Sequence, residues 1–340
     1  MKTTEFYSKN YKKIMIIPFI ILIISIILLQ VHHSTTGEYI NKDVSLSGGI
    51  SATIYIGGLD INNIKSQLNQ KLPNSDISVR KLTDFTTKED LGIILEASET
   101  DADTIKPILE EITNTKLTQD NFSIEEMGSS LGATFFKEMI TAIISAFIVM
   151  AWVVFIIFGK KISTKIINFI ISIIFMVLLW KFFLDNIYII IVYIILLIAL
   201  FYTYVKESIP SVAIILSAVL DIVATLAIVS LFDMKISTAG IAAFLMVLGY
   251  SIDTDILLTT RILKRKVGTI YERTVGALKT GLTMTITTIV ALSVALIFTN
   301  SIVLKQMFTI ILIALIIDLI STWLMNAGIL IWYYKRKNIE

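Results

Sequence analysis

Eight long apolar runs restrict the fold of this chain more than any other feature of its sequence. A helix needs about 20 apolar residues to cross the hydrocarbon core of a bilayer, and each run is close to or above that length. The chain is 55% hydrophobic and only 16% charged, whereas soluble domains are about a quarter charged. The sequence therefore predicts a polytopic α-helical membrane protein. The predicted spans are 14–31, 138–158, 164–184, 186–205, 209–231, 236–260, 275–298 and 303–333.

The composition argues against several other classes of function. The net charge is +2, which is not the strongly basic balance of a nucleic-acid-binding protein. The chain has no cysteine, and His32 and His33 are its only histidines, whereas a closed metal site needs about four ligands. It also lacks a GxxxxGK loop and a Ser/His/Asp set. We therefore expect no catalytic site, no metal, no cofactor and no nucleic-acid partner.

The segment from about 35 to 135 is polar and contains no spanning run, so it is predicted to be a water-soluble domain. Its apolar residues alternate in some stretches and follow helical spacing in others. The resulting order, β-α-β-β-α-β, is the split pattern of ferredoxin-like α+β domains. The predicted strands are 50–58, 76–82, 91–98 and 121–127, and the predicted helices are 60–72 and 101–113.

The distribution of basic residues predicts the orientation of the spans. Lys and Arg are enriched in the cytoplasmic connections of membrane proteins. With a cytoplasmic N-terminus, every inside segment is basic and the outside turns hold far fewer Lys and Arg. We therefore expect a multi-pass cell-membrane protein with both termini in the cytoplasm and the polar domain outside. The inside segments are 1–13, 159–165, 204–208, 261–273 and 333–340.

Aspartates interrupt three of the later apolar runs. Asp221, Asp253, Asp255 and Asp318 lie within predicted spans, where an Asp costs roughly 2.5–3.5 kcal/mol at a helix centre. Asp253 precedes Arg261 by eight residues, which is about 12 Å along a helix. An interfacial position therefore does not account for it, and we expect the acids to have a specific role inside the bundle.

Small and hydroxyl residues accompany these acids at helical spacing. Such residues let membrane helices approach and hydrogen-bond each other. We expect the helices that carry them to pack together with the acids facing inward. One interpretation is structural, with Ser, Thr or Tyr250 donating hydrogen bonds to the acids; the other is that an acid binds a proton or cation. The candidate residues are Asp221, Tyr250, Ser251, Asp253, Asp255, Thr259, Thr280, Thr283 and Thr287, with Gly249 and Gly276 beside them.

Several motifs resemble the SecF family of protein-export membrane proteins in its archaeal form. The most specific is LGYSIDTDILLTTRILKR, which contains Gly249 and Arg261. DVSLSGG, with Gly48 and Gly49, resembles the start of the family's outer domain. MGSSLGATFFKE, with Gly128, resembles the segment that leads into its second helix. LDIVATLAI and ALKTGLTMTITT resemble the third and fifth helices.

The resemblance implies a six-helix bundle with a ferredoxin-like outer domain, and assembly with a SecD-like subunit and the SecY/SecE channel. It also implies contact with the translocating polypeptide and with membrane lipid, and a drive by proton flow. Residues 159–207 would then be an additional hairpin of two spans. Met284 stands where the bacterial family has an arginine. The implied division is 1–34, 35–135, 136–158, 159–207, 208–334 and 335–340.

The sequence is therefore compatible with three functions. The first is an accessory subunit of protein export, which is not an enzyme. The second is a small-molecule or lipid exporter of the resistance-nodulation-division type, which normally has two repeated halves and two outer domains. The third is a structural scaffold, in which replacing the intramembrane acids by Asn would leave export intact.

Overall fold

The structure is a computed structural model, which describes residues 2–73, 75, 77–83, 89–97, 100–183, 186–265, 267–299 and 301–337. Within these residues, eight helices are long and apolar enough to cross a membrane, which confirms the predicted class. The first, α1, runs over Lys2–Thr36 and so extends well beyond the apolar run at both ends. It leads directly into the polar domain.

The polar segment folds as the predicted α+β domain. All four predicted strands and both predicted helices are present, with ends that differ by a few residues. A short helical turn precedes them, because the Asp43 carboxylate accepts a hydrogen bond from Val44 N–H. The elements are α2 (Val44–Ser47), β1 (Gly49–Ile54), α3 (Ile61–Lys71), β2 (Ile77–Thr83), β3 (Asp90–Ala97), α4 (Ala102–Thr113) and β4 (Phe122–Met127).

The four strands form one antiparallel sheet in the order β2-β3-β1-β4. Ile50 of β1 lies opposite Ala97 of β3 and Glu126 of β4. The sheet therefore has the split arrangement that the sequence predicts, with β3 between β1 and β2. Side chains from one face, such as Ile54 and Leu95, form the domain core with residues of α3 and α4.

The remaining chain forms seven spans. Two begin five or more residues earlier than predicted: α5 at Ser129 rather than 138, and α10 at Ile270 rather than 275. For α10 the reason is a capping box, in which Thr269 and Glu272 each accept a backbone N–H of the other. The elements are α5 (Ser129–Phe158), α6 (Ile162–Phe182), α7 (Ile187–Glu207), α8 (Ile209–Leu231), α9 (Thr238–Lys264), α10 (Ile270–Phe298), α11 (Ile302–Ile320), a π-helical segment (Ser321–Asn326) and α12 (Ala327–Arg336).

The helices α8 and α9 are the centre of the bundle. They contact each other, and both also contact α11 and the π-helical segment, while α1 packs on α8. The α6–α7 hairpin lies outside this centre, with α6 on α5 and α7 on α8. Its predicted turn at 184–186 lies mostly outside the described residues. The last span is continuous only through the π-helical segment, which joins α11 to α12.

The outer domain is tied to the bundle at the turn between α8 and α9. Lys235 Nζ lies 2.6 Å from Glu96 Oε2 of β3, and Arg80 also pairs with Glu96. Asp43 N–H donates to Ile236 O over 3.0 Å. The outer domain and the α8–α9 turn are therefore joined by one charge pair and by backbone hydrogen bonds.

Glycines permit a close contact at the start of the outer domain. Gly48 and Gly49 have φ values of 82° and 115°, which L side chains rarely adopt. A Cβ at Gly132 of α5 would lie 2.7 Å from Gly48 N, so the two backbones touch. Gly128 is the N-cap of α5 and has an ordinary φ of −60°.

Candidate intramembrane carboxyl site

Three aspartates are buried together at the centre of the bundle. Asp221 of α8, Asp255 of α9 and Asp318 of α11 are 2%, 0% and 0% exposed. A buried polar group must be hydrogen-bonded to avoid a large loss of hydration energy. Partners come from neighbouring helices and the π-helical segment. They are Ser251, Ser321, Thr322 and Asn326.

Asp221 accepts a hydroxyl hydrogen bond on each of its oxygens. Ser251 donates to Asp221 Oδ2 over 2.5 Å, and Ser321 donates to Asp221 Oδ1 over 2.5 Å. Distances of 2.5–2.7 Å are typical of O–H donors to an ionised carboxylate. These two bonds join α8 to α9 and to the π-helical segment.

Asp255 is satisfied on one oxygen only. Thr322 and Asn326 donate to Asp255 Oδ1 over 2.8 Å and 2.7 Å. Among the described residues, Asp255 Oδ2 has no hydrogen-bond partner. Ser217 of α8 is buried beside this carboxyl without a well-formed hydrogen bond to it. The free oxygen is therefore a position at which the carboxyl can carry a proton.

One threonine hydroxyl lies between two carboxyls. Thr322 Oγ1 is 2.8 Å from Asp255 Oδ1 and 3.1 Å from Asp318 Oδ1. A threonine hydroxyl has a single proton, so it can donate to only one of them. It can therefore hydrogen-bond to both carboxyls at once only when one of them is protonated and donates to Thr322 Oγ1.

The π-helical segment supplies three of the donors. Ala327 N–H donates to Thr322 O, a bond that spans five residues rather than four. Single π-turns occur frequently at functional sites. Here the wider turn places Ser321, Thr322 and Asn326 in the interior, where all three are 0% exposed.

The structure corrects the predicted position of Asp253. The sequence predicts that the acids face inward, but Asp253 is exposed on the outer surface of α9, together with Gly249. The reason is geometric, because residues two apart are about 200° apart around a helix. Since Asp255 faces the core, Asp253 faces away from it.

Most hydroxyls predicted on α10 are also outside the site. Thr283 and Thr287 are exposed, and Thr280 is half-buried. Each donates to a backbone oxygen of its own helix, as Thr280 does to Gly276 O over 3.3 Å. They are therefore satisfied locally and do not contact the acids. Met284, beside them, is 40% exposed.

The other predicted residues have separate positions. Thr259 is fully buried on α9, and its hydroxyl has no partner among the described residues. Tyr250 is half-buried, and its hydroxyl accepts from Thr288 over 3.4 Å. Arg261 donates to Gly276 O over 2.6 Å and so joins the end of α9 to the start of α10.

Sequence reasoning missed half of the site. It noted Asp318 in the last span but did not assign it, and it missed Ser321, Thr322 and Asn326. Asp318, Thr322 and Asn326 follow one another at i, i+4 and i+8 in an otherwise apolar run. That spacing would have identified a polar face on this helix.

Comparison with known proteins gives one consistent family. The sequence profile of the family described as "Protein export membrane protein SecD/SecF, C-terminal" matches residues 180–336. This range includes α8, α9, α11 and the π-helical segment. All residues of the buried carboxyl site therefore lie within the matched part.

Full-length relatives carry the same description. "Protein-export membrane protein SecF" of Methanocaldococcus jannaschii is 33% identical over 97% of this chain and 99% of the relative. The protein of that name from Methanothermobacter thermautotrophicus is 30% identical over 97% of this chain and 95% of the relative. The likeness therefore includes the outer domain as well as the bundle.

A solved structure has a similar fold. It is SecDF from Thermus, described as a translocon-associated membrane protein, with a TM-score of 0.63 and 13% sequence identity. The alignment covers 97% of this chain but 38% of that chain. The present chain therefore corresponds to a part of that longer protein.

Proposed function

The chain belongs to the SecF family of protein-export membrane proteins, and from this membership we propose that it is an accessory subunit of the protein translocase. It would assist the movement of polypeptides across the cell membrane without being an enzyme. The observation that carries the proposal is the likeness to archaeal SecF proteins over nearly the whole chain. Neither the bundle nor the outer domain is left unmatched.

The distribution of charge supports the proposed orientation. Lys and Arg concentrate at one end of the bundle, where α5, α7, α9 and α12 end. The positive-inside rule assigns this end to the cytoplasm, which puts the outer domain, residues about 35–135, on the opposite side. There the domain would meet the emerging polypeptide. The division of the membrane part into 136–158, 159–207 and 208–334 belongs to the same proposal, with 159–207 as a hairpin added to a six-helix plan.

The buried carboxyl site is the proposed proton-binding site. Thr322 lies between Asp255 and Asp318 and can complete its hydrogen bonds only if one of them is protonated. Moving that proton would change which carboxyl is charged and which hydrogen bonds hold α9 to the last span. Proton binding here would thereby favour one helix arrangement over another.

The outer face of α9 and α10 is the proposed surface for a SecD-like subunit. Asp253 is exposed at membrane depth, and an Asp facing lipid is costly. Gly249, Thr283 and Thr287 lie on the exposed surfaces of the same helices, and small and hydroxyl residues favour contact between membrane helices. A partner helix with a hydrogen-bond donor would satisfy Asp253. The SecY/SecE channel would bind to the resulting pair.

The other two functions are not favoured. An exporter of the resistance-nodulation-division type normally has two outer domains, and one such domain is present in the described residues, while the curated relatives are protein-export proteins. A scaffold without proton binding would predict that Asp255→Asn leaves export unchanged.

The proposal is tested by purifying the full chain from native membranes with its partners. We expect a SecD-like protein and the channel subunits to co-purify, and export of a secreted protein to slow when the chain is depleted. Asp253→Leu should reduce recovery of the SecD-like protein, whereas Val177→Leu, on the exposed face of α6, should not. Recovery of neither partner, with normal export on depletion, would refute the proposal.

A further inference from the structure

An apolar groove lies beside the contact of the α6–α7 hairpin with the centre of the bundle. It lies between α5, α7 and α8 and has a volume of about 350 Å³. Its lining is almost wholly apolar and includes Ala151, Leu200, Tyr204, Ile215 and Val219. Apolar cavities do not hold ordered water, so a stable occupant of this groove must be hydrocarbon.

The groove lies within one leaflet of the bilayer. On α8 its lining extends from Val212 to Val219, and α8 begins at Ile209. With a rise of 1.5 Å per residue, the groove starts about 5 Å from that helix end and stops at about 15 Å. The hydrocarbon core is about 30 Å thick. The groove therefore occupies the depth of the chains of a single leaflet, at the basic end of the bundle.

The rim above the groove is positively charged. Lys160 and Lys161 are exposed between α5 and α6, and Lys206 is exposed in the last turn of α7. Glu207 is the one acid in residues 159–165 and 204–208, against four lysines. It lies 3.8 Å from Lys161 Nζ and so neutralises at most one of them. The rim keeps an excess of positive charge above the open end of the groove.

Two of the cations at this end repel each other. Lys337 is a neighbour of Lys160, and its positive charge lowers the pKa of Lys160. Both side chains are near the surface, where they are free to separate. An anion between them would remove the repulsion and accept hydrogen bonds from both.

We propose that this groove and its rim bind one membrane phospholipid with an anionic headgroup. One hydrocarbon chain lies in the groove between α5, α7 and α8, and the phosphate lies against Lys160 and Lys161. The lipid fills the space between the α6–α7 hairpin and the centre of the bundle. The hairpin would thereby complete a lipid site of which α5 and α8 form the inner wall.

The dimensions favour a lipid chain over a protein helix. An α-helix with its side chains is about 10–12 Å across and rises 5.4 Å per turn, so one turn occupies roughly 400–600 Å³, which is more than the groove volume of about 350 Å³. A single hydrocarbon chain is much narrower. The distribution of charge also favours a lipid, because the basic rim lies at the depth of the headgroup and the lining of the groove is uncharged.

The test uses the purified full chain in nanodiscs that contain photoreactive phosphatidylglycerol or photoreactive phosphatidylcholine. After illumination, labelled peptides are identified by mass spectrometry. We expect the anionic lipid to label peptides of α7 and α8 that line the groove. The affinity for the anionic lipid should fall by roughly 100-fold in the triple variant Lys160→Gln/Lys161→Gln/Lys206→Gln, because each lysine near a lipid headgroup contributes about fivefold.

A second variant tests the groove itself. Leu200→Trp fills the groove and should abolish labelling, while Ile198→Trp, two residues away on the exposed face of α7, should leave it unchanged. If Leu200→Trp does not fold, Ala151→Leu fills the groove with less added volume. Equal labelling by both lipids, or undiminished labelling in a folded filled variant, would overturn the proposal. Capture of another protein by a photoreactive residue at position 200 in native membranes would also overturn it.

Discussion

Lys235 Nζ lies 2.6 Å from Glu96 Oε2, so a carboxylate of the outer domain holds the turn between α8 and α9. The Glu96 side chain is only 3% exposed and has Arg80 as a second cation. This turn joins the two helices that carry Asp221 and Asp255. The charge pair is therefore a direct contact between the polar domain and the helices of the buried site.

We predict that Lys235→Met loosens this junction. Glu96 would keep Arg80 but lose one partner in a buried setting, at a cost of about 1–3 kcal/mol. Hydrogen exchange in β3 and in the α8–α9 turn should become faster. The matched control is Lys81→Met, since Lys81 pairs with Asp90 at 3.2 Å near the surface, where such pairs contribute about 0–1 kcal/mol. Equal effects of both changes would contradict the assignment.

The surroundings of Asp43 predict that the stability of the same junction depends on pH. Burial, followed by the nearby Glu96 carboxylate, raises the pKa of Asp43, and the Val44 N–H and nearby cations oppose this in part. A carboxyl whose pKa is raised by folding contributes stability at pH values below its pKa in the unfolded chain, which is about 3.9. That contribution is lost as the pH rises through the folded pKa. At neutral pH the ionised Asp43 therefore costs stability.

Asp43→Asn should consequently raise the thermal midpoint at pH 7 and change it little near pH 4. An Asn side chain keeps an oxygen that can accept from Val44 N–H and carries no charge. Thermal unfolding at the two pH values measures the difference. Asp60→Asn, at the exposed N-cap of α3, is the control and should change little at either pH. A lower midpoint for Asp43→Asn at pH 7 would show that the charge is stabilising.

The buried and exposed acids of α9 should respond differently to the same change. Asp255→Asn keeps an oxygen for Thr322 and Asn326 but removes the exchangeable proton. We expect the protein to fold and its export activity in vesicles to lose its dependence on an imposed pH gradient. Asp253→Asn lies outside the site and should keep that dependence. The proton-binding role would be rejected if both variants respond to the gradient as the unmodified protein does.

Gly281 gives a test of packing around the π-helical segment. A Cβ at Gly281 of α10 would lie 2.3 Å from Trp323 Cζ2, and Trp323 is 3% exposed. Gly281→Ala should therefore displace the indole and cost about 1–3 kcal/mol. Gly276→Ala, where nothing lies within 4 Å, should be neutral or stabilising by up to about 1 kcal/mol. Unfolding of the two purified variants in denaturant distinguishes them, and equal stability would contradict the contact.

The outer domain could be predicted closely because the spacing of apolar residues differs between its strands and its helices. Strand residues such as Ile50 and Ile54 alternate with polar ones, and the apolar residues of 60–72 follow helical spacing. The membrane part gave less information. Its lipid-facing and core-facing sides are both apolar, so periodicity located the spans but could not show that Asp255 faces inward and Asp253 outward. That distinction depends on the contacts of α9 with α8 and α11.

The buried site could be predicted only in part for a related reason. Asp221 and Asp255 were recognised because a charge in an apolar run is costly, and Ser251 because of its spacing. Ser321 and Thr322 are individually ordinary in a membrane helix. The spacing of Thr322 and Asn326 from Asp318 indicates a polar face, but no residue pattern in STWLMN indicates the π-turn within it. Local backbone geometry set by packing therefore determines half of the site.

The π-turn also has a mechanical consequence for the last span. Each residue of an α-helix turns the chain by about 100°, and the wider turn at Ser321–Asn326 contains more residues than an α-turn. Rewinding it as α-helix would twist α12 relative to α11 and swing the Asn326 amide away from Asp255. The last span could therefore change its winding without either end unfolding, and the hydrogen bonds of Ser321, Thr322 and Asn326 to the buried carboxyls oppose that change.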